Sequence, residues 1–234
     1  MMNEKILEDF ISIVGFKNII KNSKDLEKYN KDWRGFYNNK SLGILFPNNL
    51  EILKKITKYC FEKNIKIVPQ GGNTSLTGAS VPTYDNQEII INFSKMNKIL
   101  EIDKSNLTVL VESGLILSDL KNYLDKENLY FPIDLSSSGS CMIGGNIATN
   151  AGGINALKYG SMKDNIIGIE IVTGDGKTLS SLSKMKKNNK GYDLKSIICN
   201  SEGTLGLISK ALLKIYPKPI DNFTFFASYH DLGS

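Results

Sequence analysis

Three clusters of glycine and small polar residues are the candidates for chemistry in this sequence. They read PQGGNTSLTG at residues 69–78, GSCMIGGNIATNAGG at 139–153 and SEGTLG at 201–206. Glycine costs backbone entropy, so a chain accumulates it where φ is positive or where a ligand or another backbone comes close. Loops of this composition also expose successive backbone N–H groups without bulk, which suits anion binding. A pyrophosphate on a long, flat ligand would suit the three clusters together.

Each cluster also has a purely structural explanation. A lone Gly-Gly pair is more often a turn than a phosphate site, and Gly174 and Gly176 have the spacing of a hairpin turn, so we assign them no ligand. The density of the second cluster argues for a ligand. Together with Gly160 it holds six of the chain's 20 glycines within 22 positions. We therefore expect a ligand at the three clusters.

The sequence offers little for catalysis by side chains alone. Its one histidine is His230 and its one arginine is Arg34, and it contains neither a GxxxxGK[ST] nor a GxGxxG motif. The three cysteines, Cys60, Cys141 and Cys199, are far apart and form no CxxC pair, so we expect neither a disulfide framework nor a metal site. An enzyme of this composition would depend on an organic cofactor, which performs the difficult chemistry while the protein binds and orients it.

The charge distribution argues against a nucleic-acid partner. The net charge of +5 comes from 29 basic residues spread along the chain, whereas nucleic-acid binders cluster their charge and use arginine. The dense run KMKKNNK at 184–190 is predicted to be a solvated loop. The apolar runs are of strand length and the N-terminus is acidic, so we expect no integral membrane segment and a cytoplasmic location, with peripheral membrane association left open.

A strand, a helix and a second strand precede and position the first cluster. LGILF predicts a strand, and NNLEILKKITKYCFEKN predicts a helix capped by Asn48 or Asn49 and stopped at Asn64. IKIV predicts a second strand that ends at Pro69. Such a unit normally pairs in parallel with a right-handed crossover. The first cluster then follows the carboxyl end of the second strand, where open α/β sheets bind ligands.

The rest of the chain predicts a second lobe that mixes antiparallel strands with helices. EIIINF, KILEID and LTVLVESG are strand-like, and LSDLKNYLDKEN is helical with Ser118 as its cap. IIGIEIVTGDGKTLSSL predicts a hairpin. GYDLKSIICN predicts a short helix, and LISKALLKIY predicts a last strand that ends at Pro217.

Several long segments resemble the FAD-linked 2-hydroxyacid dehydrogenases of the vanillyl-alcohol-oxidase superfamily. VPQGGNTSLTGASVP, PIDLSSSGSCMIGGNIATNAGG, KYGS and GYDLKSIICNSEGTLGLIS occur in the family's order, and NKDWRGFY near the start is similar too. The branch resembled is that of the D-lactate, glycolate and D-2-hydroxyglutarate dehydrogenases, and Ser75 replaces a family glycine. The resemblance implies an α+β, PCMH-type FAD-binding fold of two α/β lobes: a small parallel-strand lobe and a larger lobe with an antiparallel sheet and helices.

The same resemblance implies a domain division and a cofactor. We expect an N-terminal helical segment at 1–36, a PCMH-type FAD-binding domain at 37–217 and the start of a substrate-binding cap domain at 218–234. FAD is expected to be non-covalent, because Asn73 stands where some relatives have a tethering His or Cys. Gly72→Val is expected to abolish FAD binding while leaving the fold mostly intact. The residues implied to contact FAD are Pro69, Gly71, Gly72, Asn73, Thr74, Ser75, Leu76, Gly78, Pro132, Gly139, Ser140, Ile143, Gly144, Gly145, Thr149, Asn150, Gly152, Gly153, Gly160, Glu202, Gly203 and Ile208.

The implied reaction is oxidation of a D-2-hydroxy acid of the lactate, glycolate or 2-hydroxyglutarate type by hydride transfer to flavin N5. No residue is assigned as the catalytic base, because family members have their histidines, metal site and carboxylate-binding arginine in a second half that the resemblance does not find here. We expect a small-molecule 2-hydroxy acid as substrate and a cap domain as partner, either from the rest of a longer protein of which this chain is a fragment or from a separate gene. The alternative is a stand-alone FAD-binding module without dehydrogenase activity.

Overall fold

The computed structural model describes residues 2–84, 87–184, 191–221, 223, 225–228, 230 and 231. Apart from Lys184, the predicted solvated loop at 184–190 lies outside the described residues.

The first sheet has four strands in the order β1-β2-β4-β3. They are β1 (Ile19–Ile20), β2 (Gly43–Leu45), β3 (Lys66–Gln70) and β4 (Glu88–Asn92). β2 and β3 each pair in parallel with β4, whereas β1 is antiparallel to β2. Every residue of β2 and β4 is buried, as expected for parallel strands covered on both faces.

Three helices cover this sheet: α1 (Met2–Val14), α2 (Ser23–Asn30) and α3 (Leu50–Glu62), with a 3₁₀ turn at Phe16–Asn18. Phe10 of α1 and Leu53 of α3 share one buried cluster with Leu45 and Ile91 of the sheet. On the opposite face, Leu26 of α2 packs with the other side of the same strands. The N-terminal segment therefore forms part of the first sheet's core.

The local predictions for this lobe hold with two exceptions. Asn49 caps α3 by accepting a hydrogen bond from the Ile52 N–H at 2.9 Å, and Asn64 follows the helix end with φ of 54°. However, β3 continues through Pro69 to Gln70, so its predicted end at the proline is wrong. β3 is an edge strand, where a missing N–H is tolerated. The second exception is EIIINF, predicted for the second lobe but found as β4 between β2 and β3.

The second sheet has five antiparallel strands in the order β5-β6-β10-β8-β9. A two-stranded sheet pairs β11 with β7. The bounds of these strands are β5 (Ile99–Asp103), β6 (Thr108–Glu112), β7 (Leu129–Tyr130), β8 (Ile166–Val172), β9 (Thr178–Ser180), β10 (Leu207–Lys214) and β11 (Tyr216–Pro217). The predicted hairpin is confirmed, because β8 and β9 pair across the turn that contains Gly174 and Gly176.

Five helices accompany this sheet: α4 (Leu117–Lys126), α5 (Ile143–Ala148), α6 (Ala156–Tyr159), α7 (Met162–Asn165) and α8 (Leu194–Ile198). Leu120, Phe131 and Ile143 pack against the strands in one large buried cluster. The prediction of Ser118 as the cap of α4 is wrong, since the cap position is Ile116 and no side chain caps it. Ser118 lies in the first turn, where its N–H donates to the Ser138 carbonyl at 2.9 Å.

The two lobes pack directly against each other. Val172 of β8 and Leu207 of β10 belong to the same buried cluster as α1 and α3 of the first lobe. The expected α+β arrangement of one parallel-strand lobe and one antiparallel lobe is thus confirmed. None of the described helices is both long enough and apolar enough to cross a membrane.

Candidate functional site

A partly open cavity of about 260 Å³ lies where the three small-residue clusters meet. Its wall includes the loop after β3, Phe93 after β4, Ser113 after β6, helix α5 and the start of β10. The carboxyl ends of the parallel strands β3 and β4 point to this cavity, which is the edge where α/β sheets bind ligands. The cavity is therefore the candidate functional site.

About half of the predicted contact residues line this cavity. Those that do are Pro69, Gly71, Gly72, Asn73, Thr74, Ser75, Gly144, Gly145, Thr149, Glu202, Gly203 and Ile208. Those that do not are Leu76, Gly78, Pro132, Gly139, Ser140, Ile143, Asn150, Gly152, Gly153 and Gly160. For both groups, direct contact with FAD stays a prediction.

Close packing explains several glycines that lie off the cavity wall. A Cβ at Gly153 would come within 2.0 Å of the Asp134 carbonyl oxygen. At Gly78 it would lie 2.6 Å from the Tyr37 ring, and at Gly160 2.5 Å from the Asp164 side chain. All three glycines also have positive φ, so the backbone conformation itself favours glycine at these positions.

The first loop presents unused backbone donors. Within the described residues, the N–H groups of residues 72–76 donate no hydrogen bond. The loop is held in place from outside: Asn73, at φ of 53°, donates from its side chain to the Lys31 carbonyl at 2.7 Å, and accepts from Ser80 at 2.8 Å. Successive free amides on a fixed loop can bind an anion such as a pyrophosphate.

The first and second clusters touch through their backbones. A Cβ on Gly72 would lie 1.9 Å from the Ser140 carbonyl oxygen and 3.1 Å from the Cys141 Cα. The expectation that Gly72→Val leaves the fold mostly intact is therefore wrong, because the added side chain would displace the backbone at 140–141.

The third cluster closes the cavity from the other side. Glu202 has φ of 50° and donates its N–H to the Ala148 carbonyl at the end of α5, at 2.9 Å. A Cβ on Gly203 would lie 2.4 Å from the Pro69 ring. Burial raises the pKa of the Cys199 thiol, which keeps it protonated so that it can donate to the Ile147 carbonyl at 3.3 Å. These contacts hold α5 between the first and third clusters.

The cavity wall carries very little ionic charge. Among its described lining residues there is no lysine, arginine or histidine, and Glu202 is the one Asp or Glu. A negatively charged ligand would therefore be met by backbone dipoles, while Leu135, Met142 and Leu207 provide apolar surface. This combination fits a cofactor with a pyrophosphate and a flat ring system. In the part of the chain that the structure describes, no group of three or more His, Cys, Asp or Glu is placed to hold a metal ion.

Sequence reasoning named none of the other lining residues individually as a cofactor contact, although all but Phe93 and Ser113 lie in segments that resemble the family. These residues are Gln70, Ala79, Ser80, Phe93, Ser113, Leu135, Ser137, Cys141, Met142, Asn146, Ala148, Ala151, Gly206 and Leu207. Phe93 and Ser113 directly follow strands β4 and β6. The signal for them was their position at strand ends, but using it required knowing that β4 belongs to the first sheet.

Curated relatives match nearly the whole chain but extend well beyond it. A D-2-hydroxyglutarate dehydrogenase of Arabidopsis thaliana is 41% identical over 217 residues, which is 93% of this chain and 38% of the relative. A D-2-hydroxyglutarate–pyruvate transhydrogenase of Saccharomyces cerevisiae is 37% identical over 93% of this chain and 45% of its own length. A putative D-lactate dehydrogenase of Schizosaccharomyces pombe is 42% identical over 83% of this chain and 36% of its own length. The chain thus spans about two-fifths of the length of these relatives.

The relatives overturn one expectation. The proteins from Arabidopsis thaliana and Schizosaccharomyces pombe are mitochondrial, as is a D-2-hydroxyglutarate dehydrogenase of Bos taurus. The expected cytoplasmic location is therefore wrong by this comparison. The expectation relied on the acidic N-terminal segment, which says little about where a protein is delivered.

Solved structures and a family match agree on the architecture. An alkyldihydroxyacetonephosphate synthase superposes with a TM-score of 0.83 at 24% identity, covering 93% of this chain and 41% of the synthase. A p-cresol methylhydroxylase superposes with a TM-score of 0.79 at 23% identity, covering 93% and 44%. These likenesses confirm the PCMH-type fold. Residues 41–181 match the family described as FAD binding domain. This match takes in the first two clusters and more than half of the sequence, so the chain belongs to the FAD binding domain family and FAD is its cofactor.

Proposed function

We propose that this chain is the FAD-binding part of an oxidoreductase that converts a D-2-hydroxy acid into the 2-oxo acid. The observation that carries the proposal is the cavity built by three glycine clusters, with free amides at residues 72–76. The matched relatives are named for D-2-hydroxyglutarate and D-lactate. Their shared substrate class is a short acid with a hydroxyl at C2, and glycolate belongs to the same class.

The chain's own residues bind and orient the cofactor. The backbone amides of residues 72–75 would receive the pyrophosphate, and Gly144, Gly145 and Thr149 would border the rest of the molecule. When bound, FAD supplies a two-electron acceptor at flavin N5 for the hydride that leaves C2. Asn73 stands where some relatives have a tethering His or Cys, and its side-chain amide bonds the Lys31 carbonyl and the Ser80 hydroxyl. The proposal is therefore non-covalent binding.

Other parts of the reaction need residues from outside this cavity. Removal of the hydroxyl proton needs a base, and a carboxylate is best fixed by a bidentate arginine. The described lining offers neither a histidine, a lysine nor an arginine. We therefore propose a bipartite enzyme, with 37–217 as the FAD-binding domain and a substrate-binding domain on the same longer protein or on a separate chain. Residues 218–234 would begin that second domain.

Flavin selectivity tests the cofactor half of the proposal. We expect the purified chain to bind FAD at least about tenfold more tightly than FMN, because FMN has no pyrophosphate to use the free amides. Calorimetric titration of the apoprotein with both flavins measures the ratio. Acid precipitation of the FAD-loaded protein should leave all yellow colour in the supernatant. Equal affinity for the two flavins, or a yellow pellet, would contradict the assignment.

A stand-alone FAD-binding module is the second candidate. The observation that favours it is the absence of cationic side chains from the described cavity wall, since a module that only holds flavin needs no base and no carboxylate clamp. The two candidates differ in whether a hydroxy acid is oxidised once a second domain is supplied.

A further inference from the structure

Ser113 carries a polar atom for which the described protein provides no partner. Its Oγ is completely buried and makes no hydrogen bond among the described residues, and the residue as a whole is 2% exposed. Buried hydroxyls are nearly always hydrogen-bonded, because an unsatisfied one keeps its desolvation cost without compensation. A water molecule or a ligand can supply the partner that the described residues do not.

The position of Ser113 distinguishes it from the other unpartnered hydroxyls. Ser41, Thr108, Thr178 and Ser201 also have buried hydroxyl oxygens without a partner among the described residues. Of these five residues, Ser113 alone contributes to the cavity wall. Ser113 is therefore the one of these five residues that borders the space a cavity ligand would occupy.

The backbone of Ser113 is fixed on both sides. Its N–H donates to the Ser209 carbonyl of β10 at 3.0 Å, and its carbonyl accepts from the Gly144 N–H of α5 at 2.7 Å. A Cβ on Gly144 would lie only 2.7 Å from the Ser113 Cβ, so glycine at 144 leaves room for the serine. The backbone of Ser113 is thus held between the antiparallel sheet and α5, so rotation about χ1, and not movement of the backbone, would turn its hydroxyl towards a ligand.

We propose that the Ser113 hydroxyl is a cofactor-positioning group that completes its hydrogen bonding with a polar atom of FAD bound in the cavity. The inference rests on the proposed function, since it places FAD at this site. It adds a specific polar contact on the wall formed by β6 and α5, away from the free amides of the first loop. The hydroxyl thereby helps to fix how the cofactor lies between the two lobes.

The test compares Ser113→Ala with Ser41→Ala in the purified chain. Both changes remove a buried, unpartnered hydroxyl, and Ser41 is 4% exposed and lies off the cavity wall. We expect Ser113→Ala to raise the dissociation constant for FAD by about 3- to 10-fold, the value of one hydrogen bond, while Ser41→Ala leaves it unchanged. The thermal midpoint of the FAD-free Ser113→Ala protein should equal or exceed that of the original, because an unsatisfied hydroxyl is removed.

A third variant, Gly145→Leu, separates failure of this inference from failure of the proposed site. If Gly145→Leu loses FAD affinity while Ser113→Ala binds as the original does, FAD occupies the cavity but the serine does not contact it, and the inference is overturned. An equal loss of affinity in Ser41→Ala would also overturn it, because the effect would then be general. If Gly145→Leu binds FAD normally, the cavity is not the FAD site and both statements fail.

Discussion

Gly145 offers a direct way to block the cavity without disturbing the protein. It lines the cavity within α5, and a Cβ built on it meets no atom within 4 Å. Leucine is a good helix former, so Gly145→Leu should fold normally and place its side chain where the ligand lies. We expect FAD affinity to fall by about 10- to 100-fold, as for other overpacked sites. Calorimetric FAD titration and circular dichroism of the FAD-free protein measure the two effects separately.

Gly174→Leu is the matched control for this blocking variant. A Cβ at Gly174 likewise meets nothing within 4 Å, but the residue lies in the β8–β9 turn and off the cavity wall. It should therefore bind FAD as the original chain does. Similar losses of affinity in both variants would show that the bulk of leucine, and not its position, is responsible.

Of the ten glycines that the resemblance implies as FAD contacts, five line the cavity and five do not. The composition of the first cluster predicts a loop shaped for a ligand. Gly72 is also needed for packing, because a Cβ there would collide with the Ser140 carbonyl oxygen. Gly153 and Gly160 were assigned to the cofactor, and both are explained by positive φ and close packing. Composition cannot separate these causes, because the same residue type satisfies all of them. Ser113 has only its position after a strand as a signal, and a serine after a strand is common.

At the level of elements, the hydrogen bonds at the start of α7 predict that the stability of the fold depends on pH. The Asp164 carboxylate accepts from the Ser161 N–H at 2.8 Å and from its hydroxyl at 3.0 Å, forming a capping box. These hydrogen bonds hold the pKa of Asp164 below its ordinary value. A carboxyl with a lower pKa in the folded state stabilises the fold above its unfolded pKa, and this contribution is lost as pH falls through the folded pKa.

The variant Asp164→Asn should therefore cost stability in a pH-dependent way. We expect a loss of about 1 kcal/mol at pH 7, typical of a removed helix cap, and a smaller loss at pH 3. Urea unfolding at the two pH values gives the comparison. Ser161→Ala keeps the carboxylate and its backbone donor but removes the hydroxyl that caps α7, so its loss of stability should differ less between the two pH values. A loss for Asp164→Asn that is equal at both pH values would disprove the electrostatic explanation.

Elements with strong local signals were predictable, and those defined by sheet partners were not. Helix α3 has an apolar stripe and an asparagine cap, and its bounds follow from these residues. Strand β4 is apolar at Ile89, Ile90 and Ile91. This pattern indicates burial on both faces but does not identify the neighbouring strands. Its insertion between β2 and β3 is a long-range pairing. The same limit explains the wrong prediction that β3 ends at Pro69. A proline, which lacks an N–H, is tolerated there because β3 is an edge strand.

The arrangement of the whole molecule came from resemblance more than from residue patterns. Periodicity predicted a parallel unit and an antiparallel one, but it did not predict that the two lobes meet at Val172 and Leu207 or that a cavity lies at their junction. The family segments implied a common ligand for all three clusters, and the structure brings the clusters to one cavity. Neither the residue patterns nor the resemblance predicted the location in the cell correctly. The prediction of a cytoplasmic location was overturned by the mitochondrial relatives.

The final prediction concerns activity, where the two candidate functions differ. We expect the FAD-loaded chain alone to oxidise D-2-hydroxyglutarate, D-lactate and glycolate no faster than free FAD does. A positioned base contributes about 10²–10⁴-fold, and a held substrate several orders more. The described cavity wall offers no histidine, lysine or arginine for either task. The one arginine, Arg34, donates instead to the Leu76 carbonyl beside the first loop.

Anaerobic mixing with each acid, followed by absorbance of the oxidised flavin band, measures this rate. The same mixture with a separately expressed substrate-binding domain distinguishes the candidates. Bleaching that appears only with the added domain supports the bipartite enzyme, whereas no bleaching in either mixture supports the stand-alone module. Rapid bleaching by the chain alone would contradict both, because this chain would then have to contain the base. The most economical search would then begin with Glu202, since it is the single carboxylate on the described wall and its φ of 50° fixes it beside α5. Glu202→Gln should in that case abolish the bleaching in protein that is loaded with FAD, since the amide keeps the shape of the side chain but cannot accept the hydroxyl proton.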